Sequence, residues 1–296
     1  MKLKSNNELA FDLTNLLLVT IFFLIILFPL IFMVVASVSD PQQVATGHVF
    51  LIPKGFTLQG YQRVFKYTQL WVGYRNTIFY TLAGTLISLF LTLTAAYPLS
   101  RKDFVGKNFF LIMFTITMFF SGGLIPTYMT VKALGMRDTI WAQIIPNALA
   151  FWYIVIVRTF YQGIPQELLE AAKIDGCSNT KQFTRILLPL SKPIIAVMAL
   201  FYGVEQWNSF FSALIYISKQ GLMPLQVILR QILIVNQIDK SVVMDEANRM
   251  LISQQHQIVS LIKYAAIIVS TLPIIMIYPF LQKYFVGGIM VGAIKG

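Results

Sequence analysis

Apolar residues in this chain come in long runs separated by short polar stretches. Six of the runs are long enough to cross a hydrocarbon layer as helix, which takes roughly 20 residues. They cover residues 13–36, 76–99, 109–131, 139–160, 194–217 and 263–282. The pattern predicts an all-α polytopic membrane protein with six transmembrane helices, folded as a single transmembrane domain over 1–296. The third run contains Ser121-Gly122-Gly123 and Pro126, the fourth Pro146 followed by Asn147, and the sixth Pro273 and Pro279. Breakers inside a span are tolerated where the freed backbone is buried in protein or faces a wet cavity. The third run is therefore the candidate for a kinked, pore-facing helix. For the fourth and sixth, bent helices around a cavity and plain tolerance of proline in membrane helices both fit.

The polar stretches differ in kind. Residues 37–75 hold Pro41, Gly47, Pro53, Gly55 and Gly60, an ordered, turn-rich excursion, and 132–138 is a tight turn. Residues 218–262 form the longest connection, and a loop of that length without function is uncommon. It includes an amphipathic stretch at 225–233 and a more polar one at 245–257. A helix lying on the membrane surface and a docking face for an external partner both suit it.

The connection at 161–192 is the most telling. Pro165 can sit in the first turn of a helix. Glu167 and Glu170 then come early and Lys173 late, the order a helix dipole favours. Leu168 and Ala172 lie one turn apart and predict an apolar face. Gly176 can take the left-handed conformation that stops a helix. Ser178 caps a second helix carrying Phe183, Ile186 and Leu187 at helical spacing, and Pro189 ends it where the next span begins. The result is a hydrophilic helical elbow fixed between two spans. Small Ala171 and Ala172 allow close approach by another protein, and Glu170 offers it a charge.

Composition sharpens the class. Of the 296 residues 57% are hydrophobic and 12% charged, with a mean hydropathy of +0.71. A soluble domain carries about twice that charge. The start Met1-Lys2-Leu3-Lys4 precedes an apolar run too long for a signal-peptide core, so the first run is read as a retained span. Six spans place both termini on one side. The basic residues divide almost evenly between the two sides, but the tight Arg101-Lys102…Lys107 cluster puts the termini in the cytoplasm. The net charge of +11 points to basic loops at anionic headgroups, with membrane lipid and not nucleic acid as partner; basic walls facing an acidic solute also fit.

Catalytic chemistry is missing from the pattern. The lone Cys177 excludes an intrachain disulfide. His48 and His256 lie in separate connections without ligands at metal spacing, so no metal is expected. Gly106-Lys107 lacks both the earlier glycine and the following Ser or Thr of a phosphate-binding loop. No Ser/His/Asp arrangement presents itself, so the chain is not expected to be an enzyme or to hold a cofactor. If ATP drives it, another chain must bind the nucleotide.

The stretch Glu170-Ala171-Ala172…Asp175-Gly176…Phe183…Ile186…Leu188-Pro189 resembles the EAA loop of ABC importer permeases. The six runs and the Trp207-Asn208…Phe211 patch resemble the carbohydrate-uptake branch, of MalG-like and lipoprotein-permease-like type, over nearly the whole chain including the Lys295-Gly296 tail. Cys177 departs from that family, which often has alanine there. The resemblance implies a MetI-like fold with a cytoplasmic coupling helix, in the cell inner membrane. It implies a second homologous permease, two cytoplasmic ABC ATPase subunits holding ATP and Mg, and an extracytoplasmic solute-binding protein that delivers an oligosaccharide. Glu170, Ala171, Ala172, Asp175, Gly176, Phe183 and Pro189 would then couple the chain to the ATPase.

Glu205 is a carboxylate inside an apolar run and should face a cavity or a partner. With Gln206, Trp207 and Asn208 it forms the most polar patch of any run. Aromatic faces and amides commonly hold sugars within apolar surroundings. Glu205, Trp207 and Asn208, with Asn147, Trp152 and Tyr153 from the fourth run, are the candidates for a substrate path; helix–helix bonding is the alternative. A rival class is a proton- or sodium-coupled secondary transporter using Glu205, although no inverted repeat is evident. A receptor or scaffold without transport is a third. The basic balance suggests an acidic oligosaccharide, such as an alginate- or pectin-derived uronide.

Overall fold

A computed structural model describes residues 6–238, 262–276 and 279. All regular elements among them are helical. The described parts of 1–68 and 229–272 form one compact unit, and those of 69–228 and 273–296 form another.

The first unit opens with α1 (Asn6–Ser37), followed by α2 (Pro41–Ala45) and α3 (Gln59–Lys66). Helix α1 is apolar all round and leaves Phe11, Leu17 and Phe22 exposed, as a lipid-facing helix does. The turn-rich reading of the first excursion holds: the Asp40 carboxylate accepts from the Gln42 amide at 2.8 Å to start α2, and the Asp40 amide donates to the Lys54 carbonyl at 2.9 Å. Tyr61 of α3 is hydrogen-bonded to Ser37 at 2.8 Å. The helix α15 (Ile262–Met276) sets Tyr264 edge-on against Phe32, with ring centres 6.0 Å apart.

The second unit is built on α4 (Thr68–Ser100). It begins eight residues before the apolar run because nothing in Thr68–Arg75 stops a helix; the polar and aromatic first turns carry it out of the apolar zone. Helices α1 and α4 are each long and apolar enough to cross a bilayer. The third run, expected as one kinked span, is two helices, α5 (Lys107–Phe119) and α6 (Leu124–Ala133), at 114°. Gly123 there takes φ +80°, a conformation no helix can contain. The fourth run is also discontinuous: α7 (Trp141–Ile144) ends before Pro146-Asn147, and α8 (Phe151–Gln162) starts afresh.

The polar elbow follows as α9 (Gln166–Ile174) and α10 (Asn179–Gln182), leading through a single π turn at Phe183–Leu187 into α11 (Leu188–Leu190). An 80° bend at Ser191 precedes α12 (Lys192–Asn208). Pro189 does not end the second helix; the chain stays helical to Leu190. Pro193 lacks the amide that would continue the ladder across the bend. The fifth run is completed by α13 (Phe211–Tyr216), and α14 (Leu225–Ile238) comes after a short loop.

Among the described residues, two apolar clusters pack within this unit. One packs Leu93, Ala96 and Leu99 of α4 with Ile154, Val157 and Tyr161 of α8, Leu187, and Ile194, Val197 and Met198 of α12. The other joins Val131, Ala142, Ala213, Tyr216, Ile217 and Val227. Helices α4 and α12 run antiparallel at close range over Gly84, Thr85 and Gly203, and the buried hydroxyls of Thr92 and Tyr202 lie 2.6 Å apart. Close packing over small residues is what associates helices in lipid, where burial from water supplies no drive.

The start of α14 is not a helix resting on a membrane surface. Leu225, Val227 and Ile228 are buried, and the Leu225 amide donates to Thr77 at 2.8 Å. The Asn76 amide group donates to the carbonyls of Gly221 at 2.8 Å and Met223 at 3.0 Å, and the Tyr80 hydroxyl to that of Leu222 at 2.8 Å. The polar stretch at 245–257, His256, the end of the sixth run apart from Pro279, and the Lys295-Gly296 tail lie outside the described residues.

Candidate functional site

The elbow folds as its sequence dictates. Helix α9 ends in a Schellman turn: the Gly176 amide donates to the Lys173 carbonyl at 3.1 Å and the Cys177 amide to that of Ala172 at 2.9 Å. Gly176 takes φ +75°, and a side chain there would meet nothing, so backbone conformation alone selects glycine. The Ser178 hydroxyl accepts from the Lys181 amide at 3.4 Å and starts α10. Pro165 stands at the N-cap, just ahead of the first turn.

Burial sorts the candidate coupling residues. Ala172 is buried and Phe183 half-buried, its ring centre 5.1 Å from that of Tyr97 on α4. Glu170, Ala171, Asp175, Gly176 and Pro189 are exposed. The expected Leu168–Ala172 face is split: Ala172 and half-buried Leu169 turn inward, while Leu168 stays 47% exposed. The outward face is Glu167, Glu170, Ala171 and Ile174, at helical spacing, and Ile174 is 87% exposed. An apolar tip thus stands among exposed charges on this face.

The inward side is held by a residue read in the sequence only as a topology marker. Arg101, just past α4, makes a fork to Asp103 (Nε to Oδ1 2.8 Å, Nη2 to Oδ2 2.7 Å). Its Nη1 donates to the Tyr97 hydroxyl at 2.9 Å, Asn179 Oδ1 at 3.0 Å and Gln182 Oε1 at 3.2 Å. Lys173 Nζ of α9 lies 3.8 Å from Asp103 Oδ2. The Arg101 hydrogen bond holds the Asp103 carboxyl down at about 2, with the Arg101 and Lys173 charges acting in the same direction. Asp103 and Tyr97 are local partners, but no local motif could have flagged the tie to α10, because Asn179 and Gln182 lie some eighty residues away.

The second place is a cavity of about 370 Å³ where three of the sequence's breaks meet. Leu124 and Thr127 line it after the glycine break, Pro146 and Asn147 from the gap before α8, and Glu205, Gln206 and Asn208 from the end of α12, Ser209 from the gap after it and Ser212 from the start of α13. Glu205 is the one charged group among these described lining residues. The Tyr153 hydroxyl donates to Glu205 Oε2 at 3.4 Å. Behind the wall Gln143, 1% exposed, donates to Ser209 at 2.7 Å and accepts from Ser212 at 3.1 Å, satisfying polar groups at the break.

The structure thus gathers Glu205, Asn208 and Asn147 at one cavity, with Tyr153 reaching it through Glu205. Trp207 does not line it: the ring is buried and packs edge-on to Tyr74, 6.4 Å between centres. Trp152 is 56% exposed and also lies off the wall. Gln206 and Ser209 are lining groups that the candidate residues left out. Gln206 is 6% exposed, and its Oε1 has no hydrogen-bond partner among the described residues. Among the described residues no group of three His, Cys, Asp or Glu could hold a metal ion.

No family model matches the chain. It is 42% identical over 287 residues to the protein LplC of Bacillus subtilis, covering 97% of this chain and 95% of that one. It is 37% identical over 286 residues to the polygalacturonan/rhamnogalacturonan transport system permease protein YtcP of the same organism, covering 97% and 98%. Its fold matches a chain in the crystal structure of a bacterial ABC transporter involved in the import of the acidic polysaccharide alginate. The TM-score is 0.86 at 30% identity, covering 96% of this chain and 100% of that chain.

Proposed function

Because the chain belongs to the sugar ABC transporter permeases, we propose that it is one of two homologous membrane subunits of an ATP-driven, binding-protein-dependent oligosaccharide importer. The whole chain acts as one permease subunit in the cell inner membrane, with six crossings and both termini in the cytoplasm. An extracytoplasmic binding protein delivers the sugar. Two cytoplasmic ATPase subunits hold ATP and Mg and grip the elbow, and their closure drives alternating access. The chain itself supplies no catalytic group. Glu205 is then a hydrogen-bond acceptor at the sugar path; family membership displaces its reading as the ion carrier of a secondary transporter.

The observation that carries this reading is the elbow's division into two faces. The inner face is hydrogen-bonded to α4 through Arg101, while Glu170, Ala171 and Ile174 face outward. In the assembled complex in proteoliposomes, Glu170→Lys and Gly176→Pro should abolish uptake while the protein stays in the membrane. Full uptake in both variants would remove the relay assignment.

The substrate is an acidic oligosaccharide. The basic balance of the chain supports this, as do the polygalacturonan and alginate named for two of its relatives. ATPase stimulation by a uronic-acid oligosaccharide, and not by a neutral one of equal length, is the expected result; stimulation by the neutral sugar alone would end the acidic assignment.

A further inference from the structure

The elbow has two routes into the membrane helices. The covalent route leaves through the π turn and the 80° bend at Ser191, where Pro193 interrupts the hydrogen-bond ladder. The axis turns sharply at that joint, so displacement of α10 is not carried straight on into α12. The other route crosses space. The Arg101 guanidinium joins Tyr97 on the last turns of α4 to Asn179 and Gln182 of α10, and its fork to Asp103 reaches Lys173 of α9. Gln182, 1% exposed, also donates to the Cys177 carbonyl at 3.3 Å and so ties the same guanidinium to the glycine turn. The Tyr97 hydroxyl donates to the Asn179 carbonyl at 3.2 Å. On its other side, the end of α4 is fastened to α8 by Arg158, whose Nε donates to the Leu99 carbonyl at 3.0 Å.

We propose that Arg101 is a positioning residue that hands displacement of the elbow directly to α4, in parallel with the bent covalent route into α12. This rests on the elbow being the surface the ATPase grips. The geometry requires arginine: a planar fork bonds Asp103 with two nitrogens while the third donates to Tyr97, Asn179 and Gln182 together. A lysine keeps the charge but has one nitrogen and no fork.

The test uses the full complex with its ATPase and binding protein in proteoliposomes, comparing wild type, Arg101→Lys and Arg101→Ala. The readouts are uptake per ATP hydrolysed, of radiolabelled tetragalacturonate or maltotetraose, together with thermal melting. Spin labels at Lys181, exposed on α10 and outside the outward face of α9, and at Phe90, in a Cys177→Ser background, follow elbow and α4 separately. In the wild type, ATP should move the labels together and leave their separation unchanged. In Arg101→Lys, assembly and melting should stay near wild type, the separation should change on ATP addition, and uptake per ATP should fall about tenfold. If Arg101→Ala fails to accumulate, Arg101→Lys carries the same readouts. Wild-type uptake per ATP and an unchanged label separation in Arg101→Lys would overturn the proposal. Uptake lost in Glu170→Lys but intact in Arg101→Lys removes only the role of Arg101. Uptake intact in Glu170→Lys removes the elbow reading itself.

Discussion

Gly84 of α4 leaves the space that Gln206 of α12 fills: a methyl group at position 84 would lie 2.8 Å from the Gln206 side-chain amide. Gly84→Ala should displace the amide, costing about 1–3 kcal/mol from overpacking. Because the crowded atoms are the far end of a flexible side chain, adding Gln206→Ala should recover part of that loss. A double-mutant cycle of thermal melting in detergent checks this, with a coupling that opposes the single effects.

Gly73 offers no such relief. A methyl group there would lie 2.6 Å from Ile228 Cδ1, and also 3.0 Å from Leu225 Cα and 3.2 Å from its amide nitrogen. Backbone held by the Thr77 hydroxyl cannot swing aside. Gly73→Ala should therefore cost at least as much as the change at position 84, about 1–3 kcal/mol, with no single partner substitution restoring the melting temperature.

The difference between these glycines marks where sequence reading stops. The elbow was legible because its signals are local: charge order along α9, Gly176 at the stop and Ser178 at the next cap all act within a few residues. The breakers at Gly122-Gly123 and Pro146 were legible as interruptions; Pro146 lines the cavity, as do Leu124 and Thr127 just after the glycines. Their severity was not: a glycine pair marks a possible break, but nothing in the sequence gives the 114° through which the chain turns there. Trp207 was misplaced for a related reason. Where the side chains of α12 land depends on contacts with α4, more than a hundred residues away in sequence: Trp207 packs on Tyr74, and the Gln206 side chain lies over Gly84 at the cavity wall. Arg101 and the Asn76, Thr77 and Tyr80 bonds to residues 221–225 have the same character.

Asp138 gives a pH prediction. It holds a left-handed backbone at φ 56°, and its carboxylate accepts from the Ser218 and Lys219 amides, latching the turn after α6 to the loop after α13. The Ser218 bond is the main influence holding its acidity below the ordinary carboxylate range, helped by Lys219 and Arg137. A folded-state value below the unfolded one stabilises the protein above the unfolded value, and that contribution disappears as pH falls through the folded value. Asp138→Asn keeps the acceptor oxygen and the tolerance for positive φ but removes the charge. Its melting temperature should lie below wild type by a constant amount from pH 8 to 5, and the gap should close only below about pH 4.

Glu205 turns the acidic-substrate proposal into a test of this subunit's own wall. It is the single charged group among the cavity's described lining residues, so the basic balance of the chain resides elsewhere. A uronate carboxylate brought within about 6 Å of Glu205, at an effective dielectric constant of about 20, would be repelled by roughly 3 kcal/mol, and water in an open cavity reduces that. On the acidic-substrate proposal the wall therefore suits the hydroxyl edge of the sugar, with Glu205 and Asn208 as its hydrogen-bond partners and the acid groups turned away from Glu205. Glu205→Gln removes the repulsion while keeping an acceptor. It should tighten half-maximal ATPase stimulation by a uronic-acid oligosaccharide by about tenfold if the acid groups pass this wall. It should leave that value unchanged if they face away, as the lining predicts. In that second case Asn208→Ala should weaken acidic and neutral sugars alike, because only hydroxyls are then held here.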